Sequence, residues 1–182
     1  MLFNSFIFLI VVFFAYHSVD HKYRKVLLLV SSYVFYGYWD FTFTALLAIS
    51  TLVDFFIGKR LYESTNRTNK KRLLCLSLGV NLGILALFKY YDFFIDSFSV
   101  IADHFDQNLD YLHLNIILPV GISFYTFQTM SYTIDIYREK LKPTNSLLDF
   151  AVFVSFFPQL VAGPIERATN LLPQIAVSRL AI

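Results

Sequence analysis

"ILPVGISFYTFQTMSYTIDIYR", residues 117–138, is long and apolar enough to cross a membrane. It nevertheless carries Gln128, Asp135, three tyrosines and a scatter of serines and threonines. Helical geometry turns this mixture into a pattern. At about 100° per residue, Gly121, Tyr125, Gln128, Tyr132 and Asp135 fall within roughly 80° of arc. Phe127, Met130 and Ile134 point the other way. The segment therefore reads as a membrane helix with one polar stripe. Pro119 and Gly121 at its outer end predict a deformed helix start.

The surrounding chain has the same character. It is 57% hydrophobic and 15% charged, against roughly 45–50% and about 25% in soluble domains. Residues 2–19 and 73–88 hold no charge, and 41–58 hold only Asp54. Basic residues cluster at Lys22–Lys25, between Lys59 and Arg72, and at Arg138–Lys142, whereas 92–111 hold five aspartates and no Lys or Arg. Short basic loops stay on the cytoplasmic side. One topology satisfies every cluster: N-terminus outward, with spans near 2–19, 26–38, 41–58, 73–91 and 116–137. The expected fold is an all-α polytopic transmembrane bundle of about five spans, and residues 1–182 form one membrane-embedded unit. The basic clusters are orientation signals and argue against nucleic acid as a partner.

Residues 147–168, "LLDFAVFVSFFPQLVAGPIERA", depart from this scheme because Pro158 interrupts them and Gly163-Pro164 stops them. A kinked re-entrant or partial helix is expected there. Residues 165–175 read as an interfacial tail with Leu171, Leu172 and Ile175 on one side. Tyr33, Tyr36, Tyr38 and Trp39 mark the outer interface. The Asn66-Arg67-Thr68 sequon falls in a cytoplasmic loop and reads as accidental. A lone Cys75 excludes a disulfide framework and reads as a small buried apolar residue.

Two polar features lie within the spans. Gly79 and Gly83 form a G-x-x-x-G pair that lets another helix approach closely. Asn81 between them reads as a hydrogen-bonding partner for a neighbouring helix, with a place along a substrate path as the alternative. The stripe on 117–138 has two readings, an interhelical hydrogen-bond seam or the wall of a hydrated cavity. Asp135 lies one turn from Arg138 and is expected to pair with it. The cavity-lining candidates are thus Gln128, Tyr132, Asp135, Tyr125 and Asn81. His104 and His113 among the outer aspartates match no compact metal-ligand spacing, so no metal site is assigned.

Three stretches, "FYGYWD" (35–40), "LPVGISFYTFQTMSYTIDIYR" (118–138) and "FFPQLVAGPIERA" (156–168), resemble the membrane-bound O-acyltransferase family, within it the branch of alginate O-acetylation proteins. The resemblance implies a multi-pass enzyme of the bacterial inner membrane, with an acetyl thioester such as acetyl-CoA as donor substrate and no bound cofactor. It also implies membrane lipids and exported-polysaccharide acetylation proteins as partners. The family places its catalytic histidine in a later span. Here His17 and His21 sit at a basic turn and His104 and His113 in the acidic segment, so no catalytic residue is carried over. The chain resembles the N-terminal portion of such an enzyme and implies a missing C-terminal half, being inactive alone. The competing class is a non-enzymatic membrane accessory subunit or small transporter.

Overall fold

The computed structural model describes residues 2–38, 41–102, 121–164 and 166–176, whose regular structure is helical throughout. The elements are α1 (Leu2–Ser18), α2 (His21–Gly37), α3 (Phe41–Glu63), α4 (Arg67–Leu85), a π-helical turn (Ala86–Tyr90) and α5 (Tyr91–Ala102). After 103–120 come α6 (Ile122–Tyr137), α7 (Leu147–Ser155), α8 (Phe157–Ala162) and α9 (Ala168–Ala176). Trp39, the outer histidines and Pro119 lie outside the described residues.

The helices extend past the apolar runs that announce them. α2 begins at His21 and α4 at Arg67, each several residues before its hydrophobic stretch. Charged residues continue a helix readily once a cap starts it. For α4 that cap is Asn66, whose side-chain oxygen accepts the Thr68 N–H at 2.8 Å. The sequon asparagine is thus a helix cap. At the other end of the bundle, Gly121 has a left-handed backbone (φ 76°) immediately before α6, the deformed start expected there.

Around an apolar core, a set of large apolar residues faces outward and a set of polar residues is buried. Phe13 and Phe14 on α1, Val30 and Val34 on α2, and Phe93 and Phe98 on α5 are exposed. Ser50, Asp54, Ser77, Asn81, Gln128 and Thr129 are all buried to within 1%. Water would expel the first set, whereas lipid accepts it and drives the second set to pair with itself. The stretch Arg67–Ser99, spanning α4, the π turn and most of α5, is long and apolar enough to cross a bilayer. The chain is a membrane protein. Among the described residues, this is the one stretch that meets that length and composition test.

Helix α6 is central and packs against α3, α4, α7 and α9. The closest helix approach marked by a glycine falls at Gly58 on α3, where an added methyl would stand 2.7 Å from Tyr132 Cε1. The expectation for Gly79 and Gly83 is corrected: nothing lies within 4 Å of a methyl at either position among the described residues. The reason is angular. Ser77, Asn81 and Leu85 form the buried face of α4, and the two glycines lie on its opposite side. Cys75 is likewise exposed rather than buried.

The interruption near Pro158 is a true break between α7 and α8, centred on Phe156 (φ −56°, ψ 95°). Proline at 158 removes the N–H that would have closed the helix onto Val154. Neighbouring helices satisfy the freed groups: Gln128 Nε2 donates to the Phe153 carbonyl at 2.8 Å, and the Phe157 N–H reaches Ser32 Oγ at 3.4 Å. Phe8, Phe35 and Phe157 pack as a ring cluster around the break, with centroids 5.3–5.8 Å apart. α9 lays Leu172 against the core, with Leu171 and Ile175 half-buried beside it.

Two ion pairs lie at the basic end of the bundle: Lys25–Asp149 at 2.7 Å ties the first basic cluster to the start of α7, and Lys70–Glu139 at 3.1 Å ties the second to the third. Glu139 also closes α6. Its φ of 60° allows Glu139 N–H to reach Ile136 O and Lys140 N–H to reach Asp135 O, a Schellman cap built without glycine.

Candidate functional site

The buried half of α6 carries two polar edges. One is the stripe already visible in the sequence. The other, formed by Thr126, Thr129 and Thr133, faces α3 and α4 and was not singled out by sequence reasoning.

The threonine edge completes a buried network across three helices. Ser77 Oγ donates to Asp54 Oδ1 at 2.6 Å, and Asn81 Nδ2 donates to Asp54 Oδ2 at 2.7 Å. Ser50 and Thr129 hydroxyls donate to Asn81 Oδ1 at 2.9 and 3.1 Å. Thr133 Oγ1 lies 3.1 Å from Ser77 Oγ. Asp54 is fully buried, yet both of its oxygens have donors. Each helix contributes an i, i+4 pair: Ser50/Asp54, Ser77/Asn81 and Thr129/Thr133. Asn81 therefore bonds its neighbouring helices, as read from its position. A sole charge in an apolar span was the available signal for Asp54. Its partners are too common in helices to stand out from spacing alone.

The stripe behaves differently. Gln128 is occupied by the Phe153 carbonyl. Tyr132 packs its ring on Phe150 with centroids 4.4 Å apart. The buried Tyr132 hydroxyl comes near the Thr144 backbone without a well-formed hydrogen bond, and the Tyr125 hydroxyl, the Asp135 Oδ2 and, on the neighbouring edge, the Thr126 Oγ1 are buried with no partner among the described residues. Tyr36 on α2 shares this condition. An unpaired polar atom inside a membrane protein costs on the order of 1–3 kcal/mol. The expected Asp135–Arg138 ion pair is absent, because Asp135 faces the core while Arg138 lies beyond the helix end and is exposed. The stripe residues line neither of two cavities found elsewhere, one at the basic end and one between α2 and α3. Of the described histidines, His17 is exposed and bonds the Phe13 carbonyl of its own helix, and His21 is exposed at the basic end.

Comparison with known proteins decides the kinship. The chain is 42% identical to the probable alginate O-acetylase AlgI of Pseudomonas putida over 174 residues, which is 94% of this chain and 36% of that protein. It is 41% identical to the namesake in Pseudomonas aeruginosa, over 96% of this chain and 34% of that one. The chain is a relative of the alginate O-acetylases. The branch indicated by the three motif stretches is the one in which these relatives lie. A peptidoglycan O-acetyltransferase of Helicobacter pylori is 32% identical over 96% of this chain and 38% of its own length. The chain thus spans about a third of each of these relatives. No family model matches the chain, and no solved structure matches it.

Proposed function

We propose that the chain forms part of a multi-pass, inner-membrane O-acetyltransferase that modifies an exported polysaccharide, with alginate as the leading candidate. The kinship to O-acetylases supports the reaction class. The gathering of the basic clusters at one end supports several crossings with that end cytoplasmic. The observation that carries a role for this portion is the set of buried polar ends on α6 that lack a well-formed hydrogen bond among the described residues: Tyr125 Oη, Thr126 Oγ1, Tyr132 Oη and Asp135 Oδ2.

In the proposed reaction a polysaccharide hydroxyl attacks the carbonyl carbon of an acetyl thioester, with acetyl-CoA as one such donor. The new C–O bond forms, the C–S bond breaks, and the hydroxyl proton passes through a base to the departing thiolate. The products are an acetyl ester and a free thiol. The resemblance puts the base in a later span, so this chain contributes walls and orientation rather than proton transfer. Tyr125 and Tyr132 can donate hydrogen bonds to a hydroxyl-rich acceptor or an acyl oxygen, and Asp135 can accept them. Gln128 acts indirectly, by holding the α7–α8 break in place. Acetylation proteins that handle the exported chain are the partners this reading calls for.

The test is genetic and chemical. Deleting the gene should abolish O-acetylation of the exported polysaccharide, measured by mass spectrometry of its sugars, and the full-length gene should restore it. Unchanged acetyl content after deletion overturns the reading in favour of an accessory or transport role.

A further inference from the structure

The basic end of the bundle holds a partly enclosed cavity of about 170 Å³ between α1, α2, α7 and α9. Its lining divides by chemistry. Arg24 and Lys25 supply cations to its rim and His21 an imidazole, and Leu28, Phe156 and Ile175 belong to an apolar floor.

The rim is held in place. Lys25 is committed to Asp149 at 2.7 Å and to the Ala176 carbonyl at 3.3 Å, so its charge is already answered. Arg24 is the cation that remains. Its Nε donates to the Val19 carbonyl at 3.1 Å, and its guanidinium stands 4.9 Å from the Tyr16 ring centre. These contacts fix the guanidinium plane while leaving its two terminal nitrogens uncommitted among the described residues. A fixed guanidinium beside an imidazole suits the oxygens of a phosphate. The floor beneath would be wasted on a small ion, but it accommodates hydrocarbon.

We propose that this cavity binds an anionic, phosphate-bearing headgroup at Arg24 and His21, with the attached acyl chain running along Leu28, Phe156 and Ile175. The inference is independent of acetyl transfer and requires only that this end of the bundle meet a leaflet of anionic lipid.

The test uses the full chain in nanodiscs of mixed phosphatidylglycerol and phosphatidylcholine, followed by native mass spectrometry of the lipid retained after extraction. Phosphatidylglycerol should be retained over phosphatidylcholine. Arg24→Gln should lower that retention about fivefold, the effect of one cation at an anionic surface, and Arg24→Lys should recover part of it. Ile175→Trp, which fills the floor without touching the rim, should also reduce retention and decides the matter if Arg24→Gln fails to fold. Displacement by millimolar inorganic phosphate would assign the site to a soluble phosphate compound rather than a lipid. Equal retention of both lipids, or wild-type retention in Arg24→Gln and Ile175→Trp, overturns the proposal.

Discussion

Replacing Gly58 with alanine tests whether the α3–α6 contact is set by the missing side chain at that position. The new methyl would stand 2.7 Å from Tyr132 Cε1, 3.1 Å from Ile136 Cδ1 and 3.2 Å from Tyr132 Oη. Carbon atoms in contact prefer about 3.5–4.0 Å, so roughly 1 Å must be found. The tyrosine ring has little room to supply it, because Phe150 packs against it at a centroid distance of 4.4 Å and Tyr132 is fully buried. The helices must separate, and overpacking of this kind costs about 1–3 kcal/mol. The assay is unfolding of the purified chain in detergent, by heat and by titration with a denaturing surfactant. A double-mutant cycle with Tyr132→Leu isolates the cause, since removing the ring should cancel most of the alanine penalty. Stability of Gly58→Ala within about 0.5 kcal/mol of wild type, or an undiminished penalty in the Tyr132→Leu background, would refute the reasoning.

Three further substitutions probe other joints, each by the same unfolding measurement. Asn81→Leu removes bonds to Ser50, Asp54 and Thr129; at about 0.6 kcal/mol per interhelical bond the loss is about 2 kcal/mol. Gln128→Leu leaves the Phe153 carbonyl buried and unpaired and should cost about 1–3 kcal/mol, with the loss concentrated at the α7–α8 break. Glu139→Gly relieves a left-handed non-glycine residue and should stabilise by about 1 kcal/mol, reduced slightly by loss of the exposed pair with Lys70.

What could be read in the sequence, and what could not, follows from the physics of a helix in lipid. Apolar runs identified the cores of α1 to α4, and the angular grouping on α6 identified a polar stripe that is indeed buried. Proline at 158 announced the break. Helix ends were less visible, because charged residues extend α2 and α4 beyond their apolar runs without altering the hydrophobic pattern. Face selection was the weaker inference. Gly79 and Gly83 have the spacing of a packing motif, but spacing does not say which side of α4 meets α3. Gly58 has no repeat to announce it and nevertheless makes the tight contact. Asp135 looked like a partner for Arg138 because periodicity was continued past Tyr137, where the Schellman cap ends the helix. The Asp54 network required three helices to be brought together, which no local pattern encodes.

The most direct measurement removes only the hydroxyls of Tyr125 and Tyr132 in the full-length protein, as Tyr→Phe at both sites, and reads both stability and the O-acetyl content of the exported polysaccharide. Because neither hydroxyl makes a well-formed hydrogen bond among the described residues, Tyr132 having only a backbone contact with Thr144, the substitutions should leave the fold intact. A catalytic wall predicts about a hundredfold fall in acetyl transfer, since each of the two lost hydrogen bonds in the transition state is worth about 1.4 kcal/mol, or tenfold in rate. Wild-type acetylation by the folded double variant would contradict the account and return the stripe to packing.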